Sequence, residues 1–236
     1  MPWTYNEIKD VLRNNRLTRR PYRGLAKSSR SIRLLSNRVR FGRTFPPFYF
    51  NKLFAQGADP WRYEGDSISE RRKSLLLGLL PAAPVNHILE IGCASGWMTK
   101  DLSLRAKRVT AVDCSSVALS LAKERCEACS NIEFAGLDLL TDSIEGNFDF
   151  VVCAGVLNFF PRTTQKAICD KIVDSMQPGG RLLLEHLRAR MPGSEMTGEE
   201  LHMLYVDHPN LHLLDVVKED IYEIILMEHK YDHTPK

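Results

Sequence analysis

Short apolar runs alternate with segments of helical periodicity between residues 87 and 186. The apolar runs predict five strands, at residues 87–91, 109–112, 132–135, 148–154 and 181–186. The segments between them predict helices, at residues 96–106, 115–129 and 163–176. Residues 211–217 and 221–228 predict an antiparallel hairpin that ends the sheet. Because such alternation requires right-handed crossovers, we predict an α/β fold with a Rossmann-like, doubly wound sheet of seven mostly parallel strands and helices on both faces.

Two segments ahead of this region are also patterned. Residues 67–80 predict a helix, with Ser67 or Ser69 as its N-cap and Pro81 as its stop. Residues 45–63 are aromatic and interrupted by prolines. That composition suits a clasp over a pocket better than a strand.

The charge of the chain is concentrated at its N-terminus. Residues 1–45 contain twelve Lys and Arg against two acidic residues, a net charge of +10, so that with +3 for the whole chain the remainder carries −7. We predict a basic N-terminal arm of one or two short helices. The arm could bind a nucleic acid, or it could form part of a lid or the contact of a homodimer. We favour the lid or dimer, because apolar residues such as Leu34, Leu35 and Phe41 interrupt the basic ones.

Size and composition narrow the class of protein. The chain has 236 residues and is 44% hydrophobic, which suits one folded domain with an appendage. The longest apolar stretch, residues 75–85, is about half the length that a membrane span needs. The six cysteines include one C-x-x-C, at residues 126 and 129, without the second pair that a zinc site requires. We therefore expect a cytoplasmic protein with no metal site and no membrane span.

A glycine-containing loop follows the first predicted strand. Residues 90–97 read Glu-Ile-Gly-Cys-Ala-Ser-Gly-Trp and lead into a helix. Ligands of open α/β sheets bind at the carboxyl ends of the strands near the switch point, where this loop should lie. Gly92 and Gly96 allow the backbone to approach a ligand closely. Asp113, at the end of the second strand, is placed to accept hydrogen bonds from both hydroxyls of a ribose.

The same loop discriminates between two nucleotide cofactors. Dinucleotide folds require G-x-G-x-x-G/A, in which the third small residue allows close packing of helix and strand. Here Gly92, Ala94 and Trp97 occupy those positions, and an indole is incompatible with that packing. S-adenosyl-L-methionine has no pyrophosphate and tolerates a looser pattern, so we predict it as the cofactor. Glu90 is expected to help hold its amino group through the loop.

Further features follow the later strands. Asp138, after the third strand, can accept a hydrogen bond from an adenine amine. Residues 177–184 resemble the turn and fifth strand common to class I methyltransferases. The other residues that we predict to bind the cofactor are Cys93, Ala94, Cys114, Leu139 and Ala154. Asn158 and Phe159, after the fourth strand, are predicted to contact the substrate.

The segment 59–63, Asp-Pro-Trp-Arg-Tyr, together with residues 70–73 and 89–94, resembles the nodulation protein S (NodS-like) group of methyltransferases. The resemblance covers roughly residues 55–228. It implies that Trp61 and Arg72 contact the cofactor, the indole near the sulfonium and the guanidinium at the methionine carboxylate. It also implies an N-methyltransferase of amino-sugar precursors or a relative acting on natural products.

A general base is the remaining element of the predicted site. His186, at the end of the fifth strand, is the leading candidate, because strand ends face the crevice and NodS-like relatives carry a histidine there. Glu185 should then alternate to the opposite face. His202 also matches the family and could line the same pocket from a cap helix.

The chain therefore divides into a basic arm (1–45) and a class I methyltransferase domain (46–236). Within the domain we predict a clasp (46–80), a cofactor-binding core (87–186), a cap insert (187–210) and a hairpin (211–229). The predicted activity is methyl transfer to an amine or hydroxyl of a small molecule, such as a sugar or other natural product. The alternatives are an RNA or protein methyltransferase that uses the arm, and a non-catalytic binding protein of the same fold.

Overall fold

The computed structural model describes residues 45–230. Its strands are β1 (Val85–Ile91), β2 (Ala106–Asp113), β3 (Ile132–Gly136), β4 (Phe148–Ala154), β5 (Met176–Leu187), β6 (Leu211–Lys218) and β7 (Tyr222–His229). Its helices are α1 (Pro47–Phe54), α2 (Ser67–Gly78), α3 (Thr99–Ser103), α4 (Ser116–Arg125), α5 (Gln165–Asp174) and α6 (Gly198–Val206). Short 3₁₀ turns lie at Leu157–Phe159 and Arg162–Thr164.

The seven strands form one sheet in the order β3-β2-β1-β4-β5-β7-β6. The first five strands are parallel, and β7 is antiparallel to both of its neighbours, β5 and β6. The predicted Rossmann-like fold with an antiparallel C-terminal hairpin is thus confirmed. The chain moves outward from β1 through β2 to β3 and then returns to the other side of β1 as β4. This reversal makes the carboxyl ends of β1 and β4 the switch point of the sheet.

Apolar side chains pack on both faces of the sheet. On one face, Val151 and Leu184 belong to a buried cluster that includes residues of α5 and α6. On the other face, Val152 and Leu183 pack with Leu76 of α2 and with residues of α3 and α4. Because successive residues of a strand point to opposite faces, this division fixes which side each residue of β4 and β5 faces.

Several predicted element boundaries differ from those observed. The helix predicted at residues 96–106 is confined to Thr99–Ser103, and β2 already begins at Ala106. The exposed Lys107 and Arg108 at the start of β2 hide its strand pattern. The N-cap of α2 is Asp66, rather than Ser67 or Ser69, and its side chain accepts a hydrogen bond from the backbone N–H of Ser69.

The basic arm predicted at residues 1–45 lies, apart from Phe45, outside the described residues, and with it the predicted nucleic-acid, lid and homodimer roles. None of the helices between residues 45 and 230 is long and apolar enough to cross a membrane.

Candidate active site

A cavity of about 200 Å³ opens at the carboxyl ends of β1, β2, β4 and β5. The loop after β1 lies along its wall, and aromatic residues of α1 and of the segment that follows it line its other side. This is the place where an open α/β sheet binds its ligand. The cavity therefore defines the candidate active site.

The loop after β1 has a backbone that brings it close to its neighbours. Gly92 has a φ of +75°, and a Cβ at this position would lie 2.3 Å from Cγ2 of Val156. Gly96 also has a positive φ, of +78°, but a Cβ there would meet the α4 backbone at Ala122, 3.1 Å away. Gly92 lines the cavity, whereas Gly96 does not. The predicted role of Gly96 in cofactor binding is thus corrected to one in packing the loop on α4.

Asp113 connects β2 to this loop. One carboxylate oxygen accepts a hydrogen bond from the Ala94 N–H at 3.0 Å, and the other accepts one from the Ser115 N–H at 2.8 Å. Burial raises the pKa of this carboxyl group, and the backbone hydrogen bonds oppose the shift. The backbone N–H of Cys114 also donates to this carboxylate. Asp113 lines the cavity, so its ionised carboxylate can accept hydrogen bonds from a ligand there.

Glu90 contributes a second buried carboxylate to the wall of the cavity. Its side chain is 2% exposed, and its Oε2 has no hydrogen-bond partner among residues 45–230. Burial raises its pKa to about 7. Buried polar atoms in proteins are almost always hydrogen-bonded, so an orphaned carboxylate oxygen in a cavity wall indicates a ligand that donates to it.

Aromatic side chains form a row at the entrance. The Trp61 ring lies edge-on to Phe54 at 5.4 Å and stacks on Tyr63 at 5.9 Å. Tyr63 in turn stacks on Trp97 at 5.2 Å. These residues line the cavity, and all but Trp97 belong to the segment 46–80 predicted as the clasp. The row thus gives an apolar surface to one part of a cavity that acidic residues line elsewhere.

Arg72 of α2 forms an ion pair with Glu185 in the wall of the cavity. Its Nη1 lies 3.2 Å from Oε2 of Glu185, and its guanidinium lies 4.5 Å from the centre of the Tyr63 ring. Both residues line the cavity. One of the amino groups of Arg72 is thus already engaged by a protein carboxylate, and its contact with the cofactor stays a prediction.

The expected orientation of the two residues at the end of β5 is wrong. Pairing with β4 and β7 continues through Glu185 and His186, so the alternation of the strand is unbroken. Glu185 shares the face of Leu183 and points into the cavity, whereas His186 points to the other face and does not line the cavity. Both residues are polar and fully buried, so the pattern of polar and apolar residues in the sequence does not show which of them faces the cavity.

His186 instead belongs to a buried hydrogen-bond chain. The Leu157 N–H donates to its Nε2 at 3.1 Å, so the ring proton of the neutral imidazole lies on Nδ1. Nδ1 then donates to Nε2 of His202 at 3.1 Å, and Nδ1 of His202 donates to Glu223 at 3.0 Å. Burial is the main cause that lowers the pKa of both histidines. Both imidazoles are therefore neutral, and the His186 ring fixes the turn that begins at Leu157.

His202 does not line the cavity either, so its predicted contact with the substrate is also corrected. The turn that the histidines hold nevertheless brings Asn158 and Phe159 to the cavity wall, and their contact with the substrate stays a prediction. The other predicted residues that line the cavity are Cys93, Ala94, Cys114, Asp138, Leu139 and Ala154.

Several residues that line the cavity were not predicted from the sequence. Tyr63, Glu185 and Tyr222 line the cavity, and so do Phe45 and Phe50. The aromatic composition of residues 45–63 was the available signal for three of them. No such signal marked Tyr222, because residues 221–228 were predicted only as a strand of the hairpin that ends the sheet.

The sequence of this chain is similar to those of known methyltransferases. A family of methyltransferase domains matches residues 88–180. Nodulation protein S of Sinorhizobium fredii is 29% identical over 127 residues, which cover 53% of this chain and 59% of that protein. Nodulation protein S of Azorhizobium caulinodans is 25% identical over 61% of its length. The chain thus matches about three fifths of the length of these curated relatives.

Solved structures extend the similarity over most of the domain. The N-methyltransferase NodS from Bradyrhizobium japonicum, in complex with S-adenosyl-L-homocysteine, is 27% identical with a TM-score of 0.71, covering 78% of this chain and 97% of that one. The magnesium protoporphyrin IX methyltransferase of Synechocystis with bound SAM is 17% identical with a TM-score of 0.62, covering 78% of this chain and 95% of that one, and it supports the fold alone.

Proposed function

Because the chain belongs by fold and by sequence to the class I S-adenosylmethionine-dependent methyltransferases and is NodS-like, we propose that it transfers a methyl group to a nitrogen or oxygen of a small molecule. We propose a sugar or another natural product as the acceptor. The observation that carries the proposal is the pair of buried carboxylates, Glu90 and Asp113, on the wall of one cavity at the switch point.

The residues of this cavity fit S-adenosylmethionine. The Asp113 carboxylate on the cavity wall suits the ribose hydroxyls as an acceptor, and the orphaned Oε2 of Glu90 suits an amino group. Asp138 would accept from the adenine amine, and Trp61 and Arg72 would contact the methionine end. The contacts to the cofactor, including those to its ribose, would thus be spread over the ends of β1, β2 and β3.

The charge of the cavity supports a cationic ligand. Among the described residues that line it, the basic side chain is Arg72, and the acidic ones are Asp59, Glu90, Asp113, Asp138 and Glu185. S-adenosylmethionine carries a sulfonium and an ammonium, so this excess of carboxylates favours its binding. The same excess disfavours a phosphate group inside the cavity.

S-adenosylmethionine supplies a methyl group that its sulfonium already activates, so positioning and the exclusion of water provide much of the acceleration. Phe50, Phe54 and Phe159 line the cavity and can exclude water. The histidine chain holds the turn that carries Phe159. These residues would orient the acceptor rather than react with it.

The proposal is tested by incubating the full chain with methyl-labelled S-adenosylmethionine and three sets of acceptors. The sets are small amines including D-glucosamine, matched alcohols and sugars, and total transfer RNA. Label in a small molecule would support the proposal, and label in the RNA alone would overturn it. Binding of S-adenosylhomocysteine without any transfer would instead favour a non-catalytic protein.

Replacement of Trp61 tests the clasp. Trp61→Ala is expected to weaken S-adenosylmethionine binding roughly 3- to 30-fold, because an indole near the desolvated sulfonium contributes about 0.7–2 kcal/mol. Isothermal titration calorimetry would measure the change. Phe48→Ala is the matched control, since Phe48 is an aromatic residue of α1 that is 49% exposed. Normal binding with lower thermal stability would make Trp61 a packing residue only.

Replacement of His186 distinguishes a general base from a structural residue. His186→Ala leaves the Leu157 N–H and the His202 ring without their partners, so we expect a loss of about 2–4 kcal/mol in the free energy of unfolding. Any remaining activity should keep the acidic limb of its pH–rate profile. His212→Ala, on the exposed edge of β6, is the control. Loss of that limb with unchanged stability would restore His186 as the base.

A further inference from the structure

The buried hydrogen-bond chain through the two histidines ends at Glu223 of β7, outside the cavity. Oε1 of Glu223 accepts from Nδ1 of His202 at 3.0 Å. Nε2 of His202 accepts from His186, whose own Nε2 accepts from the Leu157 N–H. Glu223 is 7% exposed, and neither it nor the two histidines line the cavity. The chain therefore connects a buried carboxylate outside the cavity with a turn that lies in its wall.

The carboxylate at one end decides which nitrogen carries the proton in both rings. Oε2 of Glu223 pairs with the ammonium of Lys218 at 3.2 Å, and an ionised carboxylate can only accept from His202. The proton of His202 is thus fixed on Nδ1, and its Nε2 is left as an acceptor, which fixes the proton of His186 on Nδ1 in the same way. Nε2 of His186 is then the acceptor that the Leu157 N–H requires. With the opposite tautomers, two N–H groups would face each other and this hydrogen bond would be lost.

The turn that begins at Leu157 is held by side chains at both backbone groups of this residue. The N–H donates to the imidazole, and the carbonyl accepts from Nε2 of Gln165 at 2.7 Å. The preceding residue, Val156, lines the cavity and packs against Gly92 of the loop after β1. Phe159 lines the cavity from the end of the turn. A shift of the turn would therefore move the cavity wall beside the loop that we propose holds the methyl donor.

We propose that Glu223 is a positioning residue of the methyl-donor site, which holds the Leu157 turn against the loop after β1 through the tautomers of His202 and His186. This inference rests on the proposed methyltransferase function. Glu223 transfers no proton in this role, because both rings keep the same proton and the chain ends at a backbone N–H group rather than in the cavity. The role therefore requires a hydrogen-bond acceptor at position 223 and not a charge.

The test combines NMR of the histidine ring nitrogens in the full chain with calorimetry of S-adenosylhomocysteine binding. In the wild type, both His186 and His202 should carry their proton on Nδ1. Glu223→Met keeps the length of the side chain but removes the acceptor, so a mixture of tautomers should appear. The variant should bind S-adenosylhomocysteine roughly 3- to 10-fold more weakly, as expected when one hydrogen bond between neutral groups is lost. Glu223→Gln keeps an amide oxygen as the acceptor, so it should restore both tautomers and most of the affinity.

Glu228→Met is the matched control, because Glu228 is a half-buried carboxylate of the same strand that pairs with Arg181 outside the cavity. It should leave both tautomers and the affinity unchanged. Gln165→Met serves if Glu223→Met fails to fold. It removes the other side-chain hydrogen bond to the Leu157 turn, so it should weaken S-adenosylhomocysteine binding by a similar factor without changing either tautomer.

Three results would overturn the inference. The first is a wild-type His186 that is protonated on Nε2 or on both nitrogens, a result that requires no variant. The second is a Glu223→Gln protein that binds as weakly as Glu223→Met. The third is wild-type affinity in a folded Glu223→Met or Gln165→Met protein. A wild type that does not bind S-adenosylhomocysteine would instead refute the proposed function, on which the tautomer measurement does not depend.

Discussion

An Asp113→Ala variant is expected to bind S-adenosylhomocysteine about 100- to 10,000-fold more weakly than the wild type. Two hydrogen bonds from ribose hydroxyls to a carboxylate would be lost, and each contributes about 1.5–3 kcal/mol. The side chain also accepts from the N–H groups of Ala94 and Ser115, so its removal loosens the loop that would hold the ligand. Calorimetry measures the affinity, and circular dichroism shows whether the fold survives.

Two comparisons make the Asp113 result specific. Asp113→Asn keeps the size of the side chain but replaces one acceptor with a donor, so it should lose affinity while retaining more stability than the Ala variant. Asp170→Ala removes a carboxylate on α5 whose side chain is 41% exposed, and it should bind normally. Wild-type affinity in a folded Asp113→Ala protein would remove this residue from the site.

Glu90→Gln is expected to stabilise the free protein and to weaken ligand binding. The pKa of Glu90 is raised from its ordinary value of 4.5 to about 7, so the folded state binds its proton more tightly than the unfolded state does. Stability from this group is therefore full below about pH 4.5 and is lost as the pH rises through 7. The loss amounts to about 3 kcal/mol above pH 8, and the amide avoids it.

Ligand binding should have the opposite pH dependence. An amino group binds the ionised carboxylate, so S-adenosylhomocysteine affinity should fall as the pH decreases below 7, approaching tenfold per unit. Glu90→Gln should lack this dependence and bind at least tenfold more weakly at pH 8. The pKa of His186 is lowered, so the stability of both proteins should fall as the pH drops below about 6.5. Comparing the Glu90→Gln variant with the wild type therefore separates the pH dependence due to Glu90 from that due to His186. An identical pH dependence in the two proteins would contradict the role of Glu90.

The sequence predicts the central sheet because burial determines its pattern. Residues 148–154 were predicted as a strand and form β4 with the same bounds. A short, nearly continuous apolar run is typical of a strand that a parallel sheet buries on both faces. The loop after β1 and Asp113 were likewise predictable, because Gly92 must adopt a positive φ and Asp113 ends its strand. Local backbone requirements of this kind can be read from one chain.

The far side of the cavity could not be predicted in the same way. Glu185 and His186 are adjacent, polar and buried, so the sequence alone cannot decide which of them faces the cavity. The answer depends on the register with β7, a strand about 40 residues later in the chain. The chain of hydrogen bonds from Leu157 to Glu223 likewise joins residues that only the tertiary structure brings together.

The most direct test of the central claim is calorimetric titration of the wild-type chain at pH 8 with S-adenosylhomocysteine and, separately, with NADH. The acidic cavity, Asp113 and the loop that ends in Trp97 predict saturable binding of S-adenosylhomocysteine at one site per chain and no binding of NADH. Binding of NADH, or no heat with S-adenosylhomocysteine from a folded protein, would contradict the assignment of this cavity as a methyl-donor site.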